Sequence, residues 1–328
     1  MNMQKWRESI LESTTPVLIP IMTHPGIEQL GYTVREAVSS GSVHAKAVGW
    51  LAGHYPTAAA TVIMDLTVEA EAFGADVLFP EDEIPTVTGR LLKSRDDIWS
   101  LRVPSLGEGR IREYVKACLL AHEDITDRPV LAGCIGPFSL AGRLFDMSEI
   151  MMLTCSDKEA AHELLRKCTE FILKYVTALK ATGVEGGVMA EPAAGLLSDA
   201  DCQTFSSDYV KRIVDAVQDD GFIVVLHNCG NTGHCTKAMV RTGAKALHIG
   251  NKCDMLAALA DMPDDVLLMG NLDPVGIFKM SQPETVTQAT KEIIEKTMDH
   301  RNVVISTGCD TPPHCPMENI NAFFNAAR

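Results

Sequence analysis

Short, continuous apolar runs recur along this chain, and longer segments with helical spacing of apolar residues lie between them. The runs cover Val17–Met22, Thr61–Met64, Val130–Cys134, Glu185–Ala190, Ile223–His227, Ala246–Ile249, Val266–Met269 and Val303–Ser306. Several are apolar throughout rather than alternating, as strands buried on both faces of a parallel sheet are. Eight such strands with helices between them predict an α/β fold, a (β/α)8 TIM barrel. An N-terminal helical segment is expected before it. Gly31 to Pro56 reads as one or two helices between the first two strands. Ala75 to Leu92 reads as a hairpin excursion after the second strand, with Val77–Phe79 and Pro85–Val87 around EDEI. No linker or internal repeat interrupts the pattern, so residues 1–328 are expected to form a single barrel domain.

Some helix ends are readable. Ser156-Asp-Lys-Glu159 has the spacing of a capping box, and the helix it opens is stopped by Gly183. Ser281-Gln-Pro-Glu284 repeats the device. Asp208 to Asp220 is amphipathic and ends at Gly221.

Composition narrows the classes of function. Net charge is -14, whereas nucleic acid or an anionic membrane surface demands a basic face. No apolar run is long enough to cross a bilayer, and MNMQKWRESI lacks the apolar stretch of a signal peptide, so a cytoplasmic location is expected. Without an export signal the ten cysteines are expected as thiols. Cys118, Cys134, Cys155, Cys168, Cys202 and Cys253 lie in apolar or amphipathic segments and read as packing residues.

In a parallel barrel the chemistry sits where strands end. The tips present His24, Asp65, Glu191, His227 with Cys229, Asn251, Asn271 with Asp273, and Cys309 with Asp310. Helix capping competes with function at Asn251, Asp273 and Asp310. The densest cluster is LHNCGNTGHC, residues 226–235. His227, Cys229, His234 and Cys235 could form a closed four-ligand zinc knuckle. Alternatively, His227 and Cys229 point the same way from one strand end and meet a distant third ligand such as Cys309, leaving a coordination position open. His314 and Cys315 form a second such pair near Cys309.

His227-Asn-Cys229-Gly, Gly308-Cys309, Pro312-Pro313 and Pro316-Met-Glu-Asn together resemble the uroporphyrinogen decarboxylase superfamily. Within it, the chain is most similar to the zinc-dependent methyltransferases that serve corrinoid proteins, such as the methylcobamide:coenzyme M methyltransferases. MDLTVEAEAFGADV (64–77) and AEPAAGLLS (190–198) support the likeness, which runs over most of the chain. The resemblance implies a Zn2+ ion on His227, Cys229 and Cys309. It implies a methylcorrinoid supplied by a partner corrinoid protein, and a small-molecule methyl acceptor or donor of thiol type. Glu191 would then act as acid, base or displaceable ligand, and Asp65 as a catalytic or substrate-contacting carboxylate. Asn251 and Asp273 would contact the cofactor. A homodimer is compatible with the same reading.

The chain departs from the decarboxylases in having no arginine from Pro16 through Val34, where those enzymes hold porphyrinogen carboxylates. It departs from the coenzyme M enzymes in having Cys315-Pro316 in place of threonine-proline, which leaves the acceptor open. The rival expectations are a decarboxylase-like lyase on the same barrel and a non-catalytic zinc-binding or corrinoid-docking protein.

Overall fold

The computed structural model describes residues 1–327. Ten strands run in chain order: β1 Val17–Leu18, β2 Ala60–Thr61, β3 Val77–Leu78, β4 Thr86–Val87, β5 Val130–Ile135, β6 Gly186–Ala190, β7 Ile223–Asn228, β8 Ala246–Ile249, β9 Leu267–Leu272 and β10 Val303–Thr307. Eight form one parallel sheet in the order β1-β10-β9-β8-β7-β6-β5-β2. Between β1 and β2 the ladder is replaced by a bond from Ala58 N to Leu18 O, 2.9 Å. This is the expected α/β barrel. The expected hairpin is β3 and β4, paired antiparallel.

β1 and β2 are shorter than the apolar runs that mark them. Past Leu18, Ile19 N still donates to Ile305 O, 3.1 Å, but Ile21 N turns to the Thr307 side chain, 3.1 Å, instead of a β10 carbonyl, and Pro20 has no N–H to offer on the β2 side. Beyond Thr61, Ile63 N donates to the His44 side chain, 2.8 Å, instead of to a neighbouring strand. The capping expectations also need correction. Ser156 ends one helix, Met147–Ser156, and Asp157 caps the next, Lys158–Ala181, accepting from Ala160 N. The Ser281 hydroxyl turns back to Ile277 O, and Pro283–Thr297 starts at Gln282 with no side-chain cap. In both cases a preceding helical turn already holds the serine. The helix from Asp208 stops at Val217, and Asp219 and Phe222 pair across the turn before β7.

Alternation along the strands separates two apolar layers. Val224, Leu226, Leu247, Ile249 and Leu268 face the surrounding helices. Ile223, Val225, Ala246, Leu267, Met269 and Val304 fill the barrel interior, and Met3 on the N-terminal helix Met3–Leu11 packs with them. Continuing those interior rows by two residues reaches His227, His248 and Ser306, all buried. The polar layer at the strand C-termini is therefore the next tier of the same packing. Among the described residues, no helix is long and apolar enough to cross a membrane.

Candidate metal centre

β7 is buried from end to end, so His227 leaves it only 1 % exposed, while Cys229 stands just beyond, half-buried. Two asparagines shape the turn that follows. Asn228 Oδ1 accepts from Gly230 N and Asn231 N, both 3.0 Å. Asn231 Oδ1 accepts from Gly233 N and Cys235 N, 2.9 and 3.0 Å. Such side-chain turns let asparagine replace regular backbone pairing. Cys309 follows β10 through Gly308, whose N–H donates to Leu272 O at 2.6 Å.

The ligand atoms of His227, Cys229 and Cys309 lie within 4.8 Å of one another. Among the described residues this is the one such group of three or more histidine, cysteine or acidic side chains. Cys309 Sγ is 3.6 Å from His227 Nε2. Tetrahedral zinc, with Zn–S about 2.3 Å and Zn–N about 2.0 Å, sets a sulfur and a nitrogen about 3.5 Å apart, so the donor set fits such an ion. The neighbouring Cys309 thiol draws the Cys229 thiol below its ordinary range, while Cys229 and then burial push Cys309 up to about 12. The other imidazole nitrogen, His227 Nδ1, lies 2.8 Å from His248 Nδ1, and His248 Nε2 lies 2.9 Å from Ser306 Oγ. His248 escaped the sequence reading because it sits within an apolar run. Its phase was the available signal: it stands two residues after interior Ala246 and in register with His227.

The remaining candidates lie elsewhere. His234 Nε2 meets Leu197 O at 2.9 Å, and the Cys235 sulfur packs against Ala194 O and Leu197 O, so the four residues of LHNCGNTGHC do not form a knuckle. His314 is exposed and its N–H donates to Glu28; Cys315 is in the core. His24 ties the first loop to the last through Thr311 O, 2.8 Å, and burial lowers it to about 4, which keeps it neutral.

Glu191 is 1 % exposed and both its oxygens are engaged. Oε1 accepts from Phe138 N and Ser206 Oγ, and Oε2 from Ser139 N, at 2.7, 3.0 and 2.8 Å. It thus closes the start of the helix Pro137–Phe145; burial raises its carboxyl and these bonds oppose the rise. Its own N–H donates to His227 O, 2.8 Å. Asp65 accepts from Arg110 Nη1 at 2.6 Å, Tyr114 OH at 3.2 Å, and the Thr67 N–H and hydroxyl at 2.9 and 2.7 Å. Arg110 also binds Glu71 and lies over Phe79, fastening the hairpin loop to the barrel. Asp273 accepts from Val275 N and Gly276 N, both 2.9 Å, as the cap of the turn Pro274–Lys279. Asn251 is exposed and lines a groove of about 430 Å³ beside the helix Pro283–Thr297, which none of the three metal candidates lines. Thus the three metal candidates converge, while the two carboxylates and Asp273 are taken up by caps and ion pairs.

A family model described as uroporphyrinogen decarboxylase (URO-D) matches residues 13–328. The methylcobamide:CoM methyltransferase MtbA of Methanosarcina acetivorans is 29% identical over 283 residues, covering 82% of this chain and 79% of that protein. The uroporphyrinogen decarboxylase of Legionella pneumophila (strain Paris) is 26% identical over 279 residues, covering 83% and 78%. A solved methyltransferase structure from Methanosarcina mazei superposes with a TM-score of 0.88 at 21% identity, covering 100% of this chain and 98% of that one, a likeness of fold.

Proposed function

The chain belongs to the uroporphyrinogen decarboxylase (URO-D) family, and from that premise we propose that it is a zinc-dependent methyltransferase, moving a methyl group between a corrinoid carried by a partner protein and a small thiol. The observation that carries this reading is the convergence of His227, Cys229 and Cys309 within 4.8 Å at the strand C-termini. Two thiolates and a neutral imidazole balance the charge of a divalent cation, and three protein donors leave one tetrahedral position open. When bound, zinc would supply Lewis acidity that makes a thiol entering the open position a thiolate at neutral pH. The methyltransferase relatives and the donor set support the reading together.

The residues of the chain hold and orient. His227 anchors from the buried side of the centre, and the half-buried Cys229 and Cys309 leave the opposite side toward solvent. Glu191 fixes the His227 backbone through its N–H and uses its carboxylate to close the neighbouring helix. Asp65 positions the hairpin loop through Arg110. In this reading both are positioning residues, because every oxygen they carry is already engaged. Porphyrinogen decarboxylation is disfavoured by the absence of arginine between Pro16 and Val34.

The test is turnover of methylcobalamin with a panel of thiols, followed by loss of the methyl–cobalt absorbance. At least one thiol is expected to be methylated, and Cys309→Ala is expected to lose zinc and on the order of 10²-fold or more in rate. A zinc-free wild-type protein that methylates thiols equally well would contradict the proposal.

A further inference from the structure

Three buried polar side chains form a line into the barrel: His227 Nδ1 to His248 Nδ1 at 2.8 Å, and His248 Nε2 to Ser306 Oγ at 2.9 Å. His248 and Ser306 are 0 % exposed and touch neither cysteine of the centre through any hydrogen bond among the described residues. We infer that His248, held by Ser306, is the positioning residue that presents His227 Nε2 as a metal-binding lone pair. The inference rests on the proposed zinc site.

Proton placement follows from the geometry. A bond between two imidazole nitrogens needs one proton, supplied by one ring and accepted by the other. Metal binding through His227 Nε2 leaves that nitrogen without hydrogen, so the neutral ring carries its proton on Nδ1. His227 Nδ1 therefore donates, and His248 Nδ1 accepts. The neutral His248 ring then carries its proton on Nε2 and donates to Ser306 Oγ. Metal-bound histidines are generally oriented this way by a carboxylate, carbonyl or water. Here a second histidine, aligned with the first across β7 and β8, takes that place. A ring fixed by the neighbouring strand cannot rotate without breaking both bonds, which distinguishes it from a water.

The test compares zinc affinity, by competition with a chromophoric chelator, in wild type, His248→Leu, His248→Gln and Ser306→Ala. Leucine fills the site without an acceptor, whereas glutamine restores one. His248→Leu is expected to bind zinc about 10–100-fold more weakly. His248→Gln is expected to recover most of that loss, and Ser306→Ala to fall between. Long-range proton–nitrogen NMR of the zinc-loaded wild type is expected to show His248 protonated on Nε2. That readout does not require the variants to fold. Zinc affinity in His248→Leu within twofold of wild type, or His248 protonated on Nδ1, overturns the inference and leaves the zinc site standing. A wild type that takes up no zinc overturns both.

Discussion

Glu69, on the short helix Val68–Ala72, is 1 % exposed. One oxygen accepts from Ile135 N at 2.9 Å and the other has no partner. Burial pushes its carboxyl from the ordinary 4.5 up to about 7. The folded state thus holds a proton that the unfolded chain has released, and stability from this residue falls as pH rises from about 4.5 to about 7. Glu69→Gln removes that dependence. The stability difference, variant minus wild type, is expected to grow with pH between 5 and 8 by up to about 3 kcal/mol. Denaturant melts of both proteins at each pH check this, and a difference that does not change with pH contradicts it. Taking the difference cancels the opposite dependence from buried neutral histidines such as His24 and His44. At this scale strand periodicity made the pairing of His227 with Cys229 legible, and the family resemblance, with the barrel's gathering of strand ends, pointed to Cys309 rather than the knuckle. His248 was not legible, because a histidine inside an apolar run looks like one more core position until its neighbour across the ladder is known.

At the scale of elements, close backbone packing holds the turns that carry the metal candidates. A Cβ on Gly250 would lie 2.7 Å from Cys229 O and 2.8 Å from its Cα, so the loop after β8 fits against Cys229 only with glycine there. Gly250→Ala is expected to leave the fold intact by circular dichroism and to weaken zinc binding by about tenfold or more, because Cys229 must move. Unchanged zinc affinity would show that the turn yields elsewhere. The 24-residue helix Lys158–Ala181 depends on its Asp157 cap, and Asp157→Ala is expected to cost about 1 kcal/mol in a denaturant melt. Strand order and the hairpin were readable from apolar runs and turn residues. The exact caps were not: Ser156 and Asp157 both suit an N-cap, and the end of the preceding helix decides between them. The Asn228 and Asn231 turns escaped for a related reason, since side-chain-to-backbone bonds leave no periodic signal.

For the whole molecule, the parallel topology gathers every candidate tip on one face. Leu196, Val275 and Met280 are exposed there, at 60%, 52% and 72%, on or just after the short helical turns Pro192–Leu196 and Pro274–Lys279 that follow β6 and β9. Under the proposed reading this is where the partner docks. Leu196→Asp combined with Met280→Asp is expected to raise KM for the corrinoid protein severalfold, with little change in turnover of free methylcobalamin. Equal effects on both would place the residues outside docking. The barrel was legible in the chain because buried parallel strands must be apolar throughout. The retention of Glu191 and Asp65 in caps and ion pairs was not, because their partners Ser139, Ser206 and Arg110 come from other parts of the chain. The most direct test of the zinc reading is X-ray absorption at the zinc edge, before and after adding a methyl-accepting thiol. The account predicts two sulfur neighbours and at least one imidazole nitrogen at first, and a third sulfur afterwards. A zinc shell that lacks sulfur, or one unchanged in Cys309→Ala, would contradict it.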